Sequence, residues 1–383
     1  MRSKKFWALL LIMVFVVVSV VGCGAKKEEG PAVVKLGVIE PLTGSIAYGG
    51  QAAANGSILA AKDINAKGGI TVGGKKYQIE LILEDSKGVP KDSAAAATKL
   101  ISKDNVPLII GDFTSSSTFA SAEIANREGV PIISPLSSAE KLTTSGFTYF
   151  FRGRVTTHNN IGEAAQFWLD RGGYKKVAML AINDDWGRGD TTLYPPLWEK
   201  AGAKVVATEY FDNGQTDFYP VLNKILKAKP DMLFVTASTE PAALIFKQMR
   251  EIAPTLPLIT SGGIDPVKTL ELAGGKVLEG IWFWSVDPPM TPEIAAFDKR
   301  YKEEFKVDSM SNAKSGYDVM MLVAKALEAA GTVTDRKAIR DALSKTTYDG
   351  YQGHYNFAAS GDSYLKMNFG LFKDGAFLIN PKL

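Results

Sequence analysis

From Val33 onward, short apolar, β-branched runs alternate with segments whose apolar residues recur at three- and four-residue spacing. That alternation marks strand–helix units wound around parallel sheets. Strands are predicted over 33–39, 78–84, 107–111 and 131–134, and a second series over 176–182, 204–211, 232–237 and 257–261. Helices are predicted between them over 51–66, 91–103, 117–128, 158–171, 191–201, 217–227, 241–252 and 265–273. Two sets of four strands predict an α/β protein of two similar, doubly wound lobes. Near-continuous apolar strands are expected where helices cover both faces of a sheet, so each lobe should be a three-layer sandwich.

The segments Phe150-Phe151-Arg152-Gly153-Arg154 and Gly280-Ile281-Trp282-Phe283-Trp284 follow the two strand sets and read as crossings between lobes. Helices over 291–305 and 313–330, a Gly-rich stretch over 349–353 and a β-like tail over 364–379 complete the chain. The expected division is 32–153 plus 284–353 for the first lobe and 154–283 plus 354–383 for the second. No short internal repeat is present, which argues against a solenoid.

The first residues follow a different pattern. A charged start, Met1-Arg2-Ser3-Lys4-Lys5, leads into an apolar run from Phe6 to Val21 and then Gly22-Cys23. This is the layout of a secretory leader, expected over 1–22. A permanent transmembrane anchor is the alternative, because the run approaches the roughly 17 residues that span a bilayer core. Val20-Val21-Gly22-Cys23 resembles the bacterial lipobox, which implies lipidation of Cys23. The stretch 23–31 would then be a tether, with the body exported across the cytoplasmic membrane and lipid-anchored on its far side.

Composition narrows the function classes. The chain has 383 residues, 46% hydrophobic and 22% charged, as expected for a globular protein of about two domains. Lys and Arg total 44 against 41 Asp and Glu, and removing the leader leaves the two equal. No excess of positive charge remains to neutralise phosphates, which sets nucleic acid aside. One cysteine excludes a disulfide framework and a Cys-based zinc site.

Several catalytic patterns are incomplete. Gly69 to Lys75 has the spacing of a phosphate-binding loop, but Lys76 stands where a magnesium-binding Ser or Thr belongs and the stretch precedes a strand. It reads instead as a turn leading into a hairpin. Gly187-Arg188-Gly189 lacks the third glycine of a dinucleotide fingerprint. His158 and His354 lie far apart, no Gly-x-Ser-x-Gly elbow occurs, and Glu84 and Asp85 would point to opposite faces of a strand. Neither metal, cofactor nor enzymatic activity is expected.

What does carry a signal is a pair of hydroxyl-rich loops. Open parallel sheets bind ligands at the carboxyl ends of their strands, where loops enter helix N-termini. The third predicted strand ends in Gly111-Asp112-Phe113-Thr114-Ser115-Ser116-Ser117-Thr118, and the fourth in Ser134-Pro135-Leu136-Ser137-Ser138. Serines there are most often helix caps. Two such loops on neighbouring strands predict a site for an anion such as a carboxylate.

With Leu36-Gly37-Val38-Ile39-Glu40-Pro41-Leu42-Thr43-Gly44, Tyr48-Gly49, Asn65 to Ile70, Ser134-Pro135 and Glu279-Gly280, the whole secreted body resembles the periplasmic leucine/isoleucine/valine-binding proteins. The resemblance implies the substrate-binding component of an ABC importer of hydrophobic amino acids: two lobes joined by three crossing strands, closing on a small ligand. It implies that Ser115, Ser116, Ser137 and Ser138 and the Leu136 N–H meet the ligand carboxylate, that Tyr48 and Trp186 form aromatic walls, and that Thr239 and Glu240 lie in the second-lobe wall. It further implies permease and ATPase partners on other chains and a monomeric, non-enzymatic role. Two positions depart from the family. Gly262 stands where the acidic partner of the α-ammonium belongs, and Gly88 and Thr114 replace a disulfide. Either Asp265 or Glu240 supplies the counter-charge, or the ligand has no ammonium and is an aromatic or other carboxylate or amide. Asp265 reads equally as a helix cap before Pro266. Enzymes on doubly wound lobes and a ligand sensor for a signalling partner are the alternatives.

Overall fold

A computed structural model describes residues 31–155 and 157–381; the leader, Cys23 and most of the tether lie outside the described residues. Among the described residues, no helix is long and apolar enough to cross a membrane.

The first sheet contains β1 (Ala32–Glu40), β2 (Ile70–Val72), β3 (Lys75–Asp85), β4 (Ile109–Gly111), β5 (Ile132–Ser134) and β6 (Phe150–Arg152), in the order β2-β3-β1-β4-β5-β6. The second contains β7 (Lys176–Ile182), β8 (Lys204–Phe211), β9 (Met232–Thr236), β10 (Leu258–Thr260), β11 (Trp282–Ser285), β14 (Asn368–Lys373) and β15 (Ala376–Ile379), in the order β15-β14-β11-β10-β9-β7-β8. The short strands β12 (Tyr348–Gly350) and β13 (Gly353–Tyr355) form a separate hairpin. Turn Gly73-Gly74 between β2 and β3 is the predicted hairpin.

Successive residues of one strand feed cores on opposite faces. Met232 and Phe234 of β9 join one apolar cluster and Leu233 and Val235 another, as do Ile110 and Ile109 of β4. This is why the strands read as continuous apolar runs: their two-residue period is hidden when helices cover both faces. On the first-sheet side, helix Ser311–Ala330 packs against helix Ala47–Ala66 at backbone contact. A β-carbon on Gly316 would lie 2.0 Å from the Ala53 carbonyl oxygen, and one on Gly56 1.9 Å from that of Ala313.

The chain leaves the first sheet after β6, leaves the second after β11 and returns to it after β13. The crossings touch one another: the Gly361 carbonyl accepts from the Arg152 N–H at 2.9 Å, and the Ser363 hydroxyl donates to the Arg154 carbonyl. Helix Arg336–Leu343, capped by the Asp335 side chain, lies in a stretch for which the sequence predicts no element.

At the carboxyl end of β1, Glu40 is buried with no hydrogen-bond partner for either carboxyl oxygen among the described residues. Burial, and then the nearby Asp112, push its pKa well above the usual carboxylate range. Burial likewise raises Asp112 to about 6, against hydrogen bonds from the Phe113 N–H and the Ser86 hydroxyl. Between pH about 4 and these values the folded protein holds more protons than the unfolded chain, so stability falls as pH rises through that window. We expect Tm to decline from pH 5 to pH 7.5. Glu40→Gln should flatten that decline and raise Tm at pH 7.5; an unchanged slope in thermal denaturation at the two pH values would count against the assignment.

Candidate functional site

A cavity of about 250 Å³ opens at the carboxyl ends of the strands of both sheets. The segments after β3, β4 and β5 line it from one side, through Pro90, Phe113 and Ser115, and Leu136 and Ser138. Those after β7, β8, β9 and β10 line it from the other, through Asn183 and Trp186, Asn213, Ser238 and Gly263. Arg154, Trp284 and Asn312, on or beside the crossings, complete it. The two sides touch around the rim: the Asp185 N–H donates to the Ser116 hydroxyl at 3.0 Å, and the Ser45 hydroxyl donates to the Asn213 side-chain oxygen at 3.1 Å.

The hydroxyl-rich loops lock together beneath the cavity. Thr114 caps helix Ser115–Arg127 by accepting from the Ser117 N–H, so the helix opens at Ser115 with N–H groups that have no intrahelical partner. Ser115 accepts from the Ala139 N–H at 3.2 Å, which leaves its own proton to donate. Ser138, 6% exposed, lines the cavity and has no side-chain hydrogen bond among the described residues. Arg152 is fully buried and fixes this loop: its guanidinium donates to the carbonyls of Ser137 at 3.1 Å and Ala139 at 2.8 Å, and pairs with Asp362 at 2.8 Å.

The structure divides the residues expected in the site. Ser115, Ser116, Leu136, Ser138 and Trp186 line the cavity. Ser116 is taken up by the rim contact, and the Leu136 N–H, expected to meet a ligand, reaches the Ser134 hydroxyl at 3.3 Å. Ser137 does not line the cavity; it donates to the carbonyls of Asp112 and Phe113 and bonds Thr118, tying the two loops together. Tyr48 also lies outside the lining. Its ring sits under the Lys268 ammonium, 5.1 Å from the centroid, and the wall on that side is Phe113, packed against Gly49. Thr239, Glu240 and Asp265 are likewise outside the lining. The Asp265 carboxylate caps helix Pro266–Ala273 by accepting from the Lys268 N–H at 2.6 Å, while its own N–H donates to the Thr239 hydroxyl. Capping engages one oxygen of Asp265, and none of these three residues lines the cavity.

Position 262 shows why no acid fits there. Gly262 has φ +82°, and a β-carbon on it would lie 2.4 Å from the Trp284 indole. Its neighbour Gly263, at φ +79°, meets the Trp186 indole in the same way at 2.4 Å. Two consecutive glycines in the left-handed region thus seat one indole each, where any side chain would clash. The vacated disulfide positions remain neighbours: a β-carbon on Gly88 would be 3.7 Å from Thr114 Cγ2, and both residues line the cavity.

Two ionisable groups line the cavity among the described residues. Asp184 caps helix Asp185–Lys200 by accepting from the Gly187 N–H, and burial raises it to about 6. Arg154 is 8% exposed; burial lowers its pKa to about 10, opposed by the charge of Asp287 and by Tyr355. Its guanidinium lies 5.7 Å from the Trp284 ring and makes no hydrogen bond or ion pair among the described residues. Among the described residues, no cluster of His, Cys, Asp or Glu could hold a metal ion.

Comparison with known proteins agrees with this architecture. The family model described as "Periplasmic binding protein" matches residues 33–370. The leucine-, isoleucine-, valine-, threonine- and alanine-binding protein of Pseudomonas aeruginosa is 25% identical over 334 residues, covering 86% of this chain and 87% of that one. The crystal structure of a leucine-binding protein from Thermotoga maritima superposes with a TM-score of 0.82 at 27% identity, covering 91% of this chain and 98% of that one. An ABC-transporter solute-binding protein of Rhodopseudomonas palustris, solved with 3,4-dihydroxybenzoic acid, superposes with a TM-score of 0.79 at 25% identity, covering 92% and 96%. With its two doubly wound sheets and a cavity at their facing carboxyl ends, the chain belongs to the type I periplasmic binding proteins of the branched-chain amino acid family, the solute-binding proteins of ABC transporters.

Proposed function

We propose that this protein captures a small carboxylate solute in the cavity and delivers it to permease and ATPase subunits carried by other chains. Residues 32–153 with 284–353 form one lobe and 154–283 with 354–383 the other, and they hinge about the crossings as a monomeric, lipid-anchored trap. A ligand that touches both lobes stabilises the closed form, and no bond is made or broken. The observation that carries this reading is the pair Ser115 and Ser138: two buried hydroxyls facing one cavity beside a helix start, one of them without a side-chain hydrogen bond among the described residues. The named ligands of the relatives, leucine, isoleucine, valine, threonine and alanine on one hand and 3,4-dihydroxybenzoic acid on the other, share a carboxylate.

A thermal-shift screen of the purified full-length chain tests it, using leucine, isoleucine, benzoate and 3-phenylpropionate beside the amide 3-phenylpropionamide and the sugar glucose. At a ligand concentration 100 times Kd the stabilisation is about 2.7 kcal/mol, readily visible in Tm. At least one carboxylate should raise Tm and the two neutral compounds should not. Stabilisation by a neutral compound alone, or by none of the six, contradicts the reading.

A further inference from the structure

Resting on that reading, we propose that Arg154 is the ion-pair partner of the ligand carboxylate, and that the ligand is an aromatic monocarboxylate without an α-ammonium group. Arg154 stands at the first crossing, where the Gly153 N–H donates to the Ser134 carbonyl at 2.8 Å, so it follows directly on the strand next to the Leu136–Ser138 loop. It lines the same cavity as Ser115 and Ser138. A guanidinium this buried with no hydrogen bond or ion pair among the described residues is costly, and such groups in native proteins are paired. Nearby carboxylates are otherwise engaged. Asp287 lies 3.7 Å from the Lys314 ammonium and accepts from the Gln352 side chain, while Asp362 belongs to Arg152. A ligand carboxylate would satisfy both the guanidinium and the serine donors, with the bidentate geometry that favours arginine.

The rest of the cavity suits a ring and does not suit an ammonium. Trp186 and Trp284 are brought against consecutive positions of one turn by Gly262 and Gly263, with Phe113 on the opposite wall. The position that would carry an ammonium's acidic partner is filled by the Trp284 indole. Asp184, the one acid in the lining among the described residues, already caps a helix through the Gly187 N–H. An ammonium buried in this cavity would therefore lack a free carboxylate, and the cost of an unpaired buried charge would abolish its binding.

Calorimetric titration of the full-length chain with matched probes tests this: 3-phenylpropionate, its amino-acid counterpart phenylalanine, the amide 3-phenylpropionamide, and the aliphatic pair 4-methylpentanoate and leucine. The proposal expects 3-phenylpropionate to bind at least tenfold tighter than phenylalanine, the amide and 4-methylpentanoate. Arg154→Met should weaken 3-phenylpropionate at least fiftyfold and bring acid and amide to near-equal affinity, while the ligand-free Tm stays within a few degrees or rises. That loss of acid-over-amide preference would not follow from a merely structural role. Tighter binding of phenylalanine or leucine than of its deaminated counterpart overturns the proposal while leaving carboxylate capture standing. An Arg154→Met protein that keeps its preference for the acid overturns the role of Arg154. Absence of binding by all four carboxylates overturns the proposal and, where benzoate and isoleucine also leave Tm unchanged, the capture reading beneath it.

Discussion

Replacing Ser115 and Ser138 together by alanine should weaken binding of the carboxylate by a factor of a hundred or more while leaving the ligand-free fold in place. A hydrogen bond to a charged group contributes about 1.5–3 kcal/mol, so the loss of two such donors corresponds to roughly two to four decades in Kd. Neither change should cost much stability. Ser138 has no side-chain partner among the described residues to lose, and Ser115 gives up only its contact with the Ala139 N–H. Ser137, by contrast, ties the two loops together through the Asp112 and Phe113 carbonyls and Thr118. Ser137→Ala should therefore lower Tm more than either of the other serine changes. Calorimetry and thermal denaturation separate the two behaviours; a double mutant that binds as well as the parent would place the anion elsewhere.

The largest effect on stability should come from Arg152→Ala. Arg152 is completely buried, pairs with Asp362, and holds the carbonyls of Ser137 and Ala139 and the Thr143 hydroxyl. Removing one partner of a buried ion pair costs about 3–5 kcal/mol because the other charge is left behind. In a chain this size that is a fall in Tm of roughly 4–7 °C. Because the same guanidinium fixes the loop that presents Ser138, carboxylate affinity should fall as well. A Tm within 2 °C of the parent would show that the crossing is held by other contacts.

Arg152 and Arg154 mark where the sequence stops being informative. They stand two residues apart at the end of the same strand, and nothing local distinguishes them. Only the third crossing, which brings Asp362 to one and not the other, makes Arg152 structural and leaves Arg154 in the cavity. The strands were legible because apolar, β-branched runs bounded by Gly and Pro have few other uses, and all eight predicted strands occur, 176–182 and 204–211 with the predicted ends and the other six with one or both ends shifted. Helix starts were less so. Helix Asp185–Lys200 begins six residues before the predicted start because the Asp184 cap outweighs Gly187 and Gly189, and helix Ala47–Ala66 begins before Gly49 and Gly50 for a similar tertiary reason. There, close contact with Phe113 and with Pro41 requires glycine within a helix.

The serine loops could be found by residue type and position alone, since strand ends entering helices are where such donors act. Phe113, Trp284, Asn183, Asn213 and Asn312 were not singled out as cavity residues. In sequence Trp284 reads only as the end of a crossing between lobes, and it is packing against Gly262 that places it at the cavity. Glycine at 262 was visible as a departure in sequence; that an indole occupies the vacated space was not.

The most direct test is a crystal structure of the full-length protein grown with 3-phenylpropionate. The carboxylate oxygens should lie within hydrogen-bond distance of the Ser115 and Ser138 hydroxyls and of the Arg154 guanidinium, with the ring between Trp186, Trp284 and Phe113. A carboxylate turned away from both serines, or a ligand bound outside this cavity, would contradict the account.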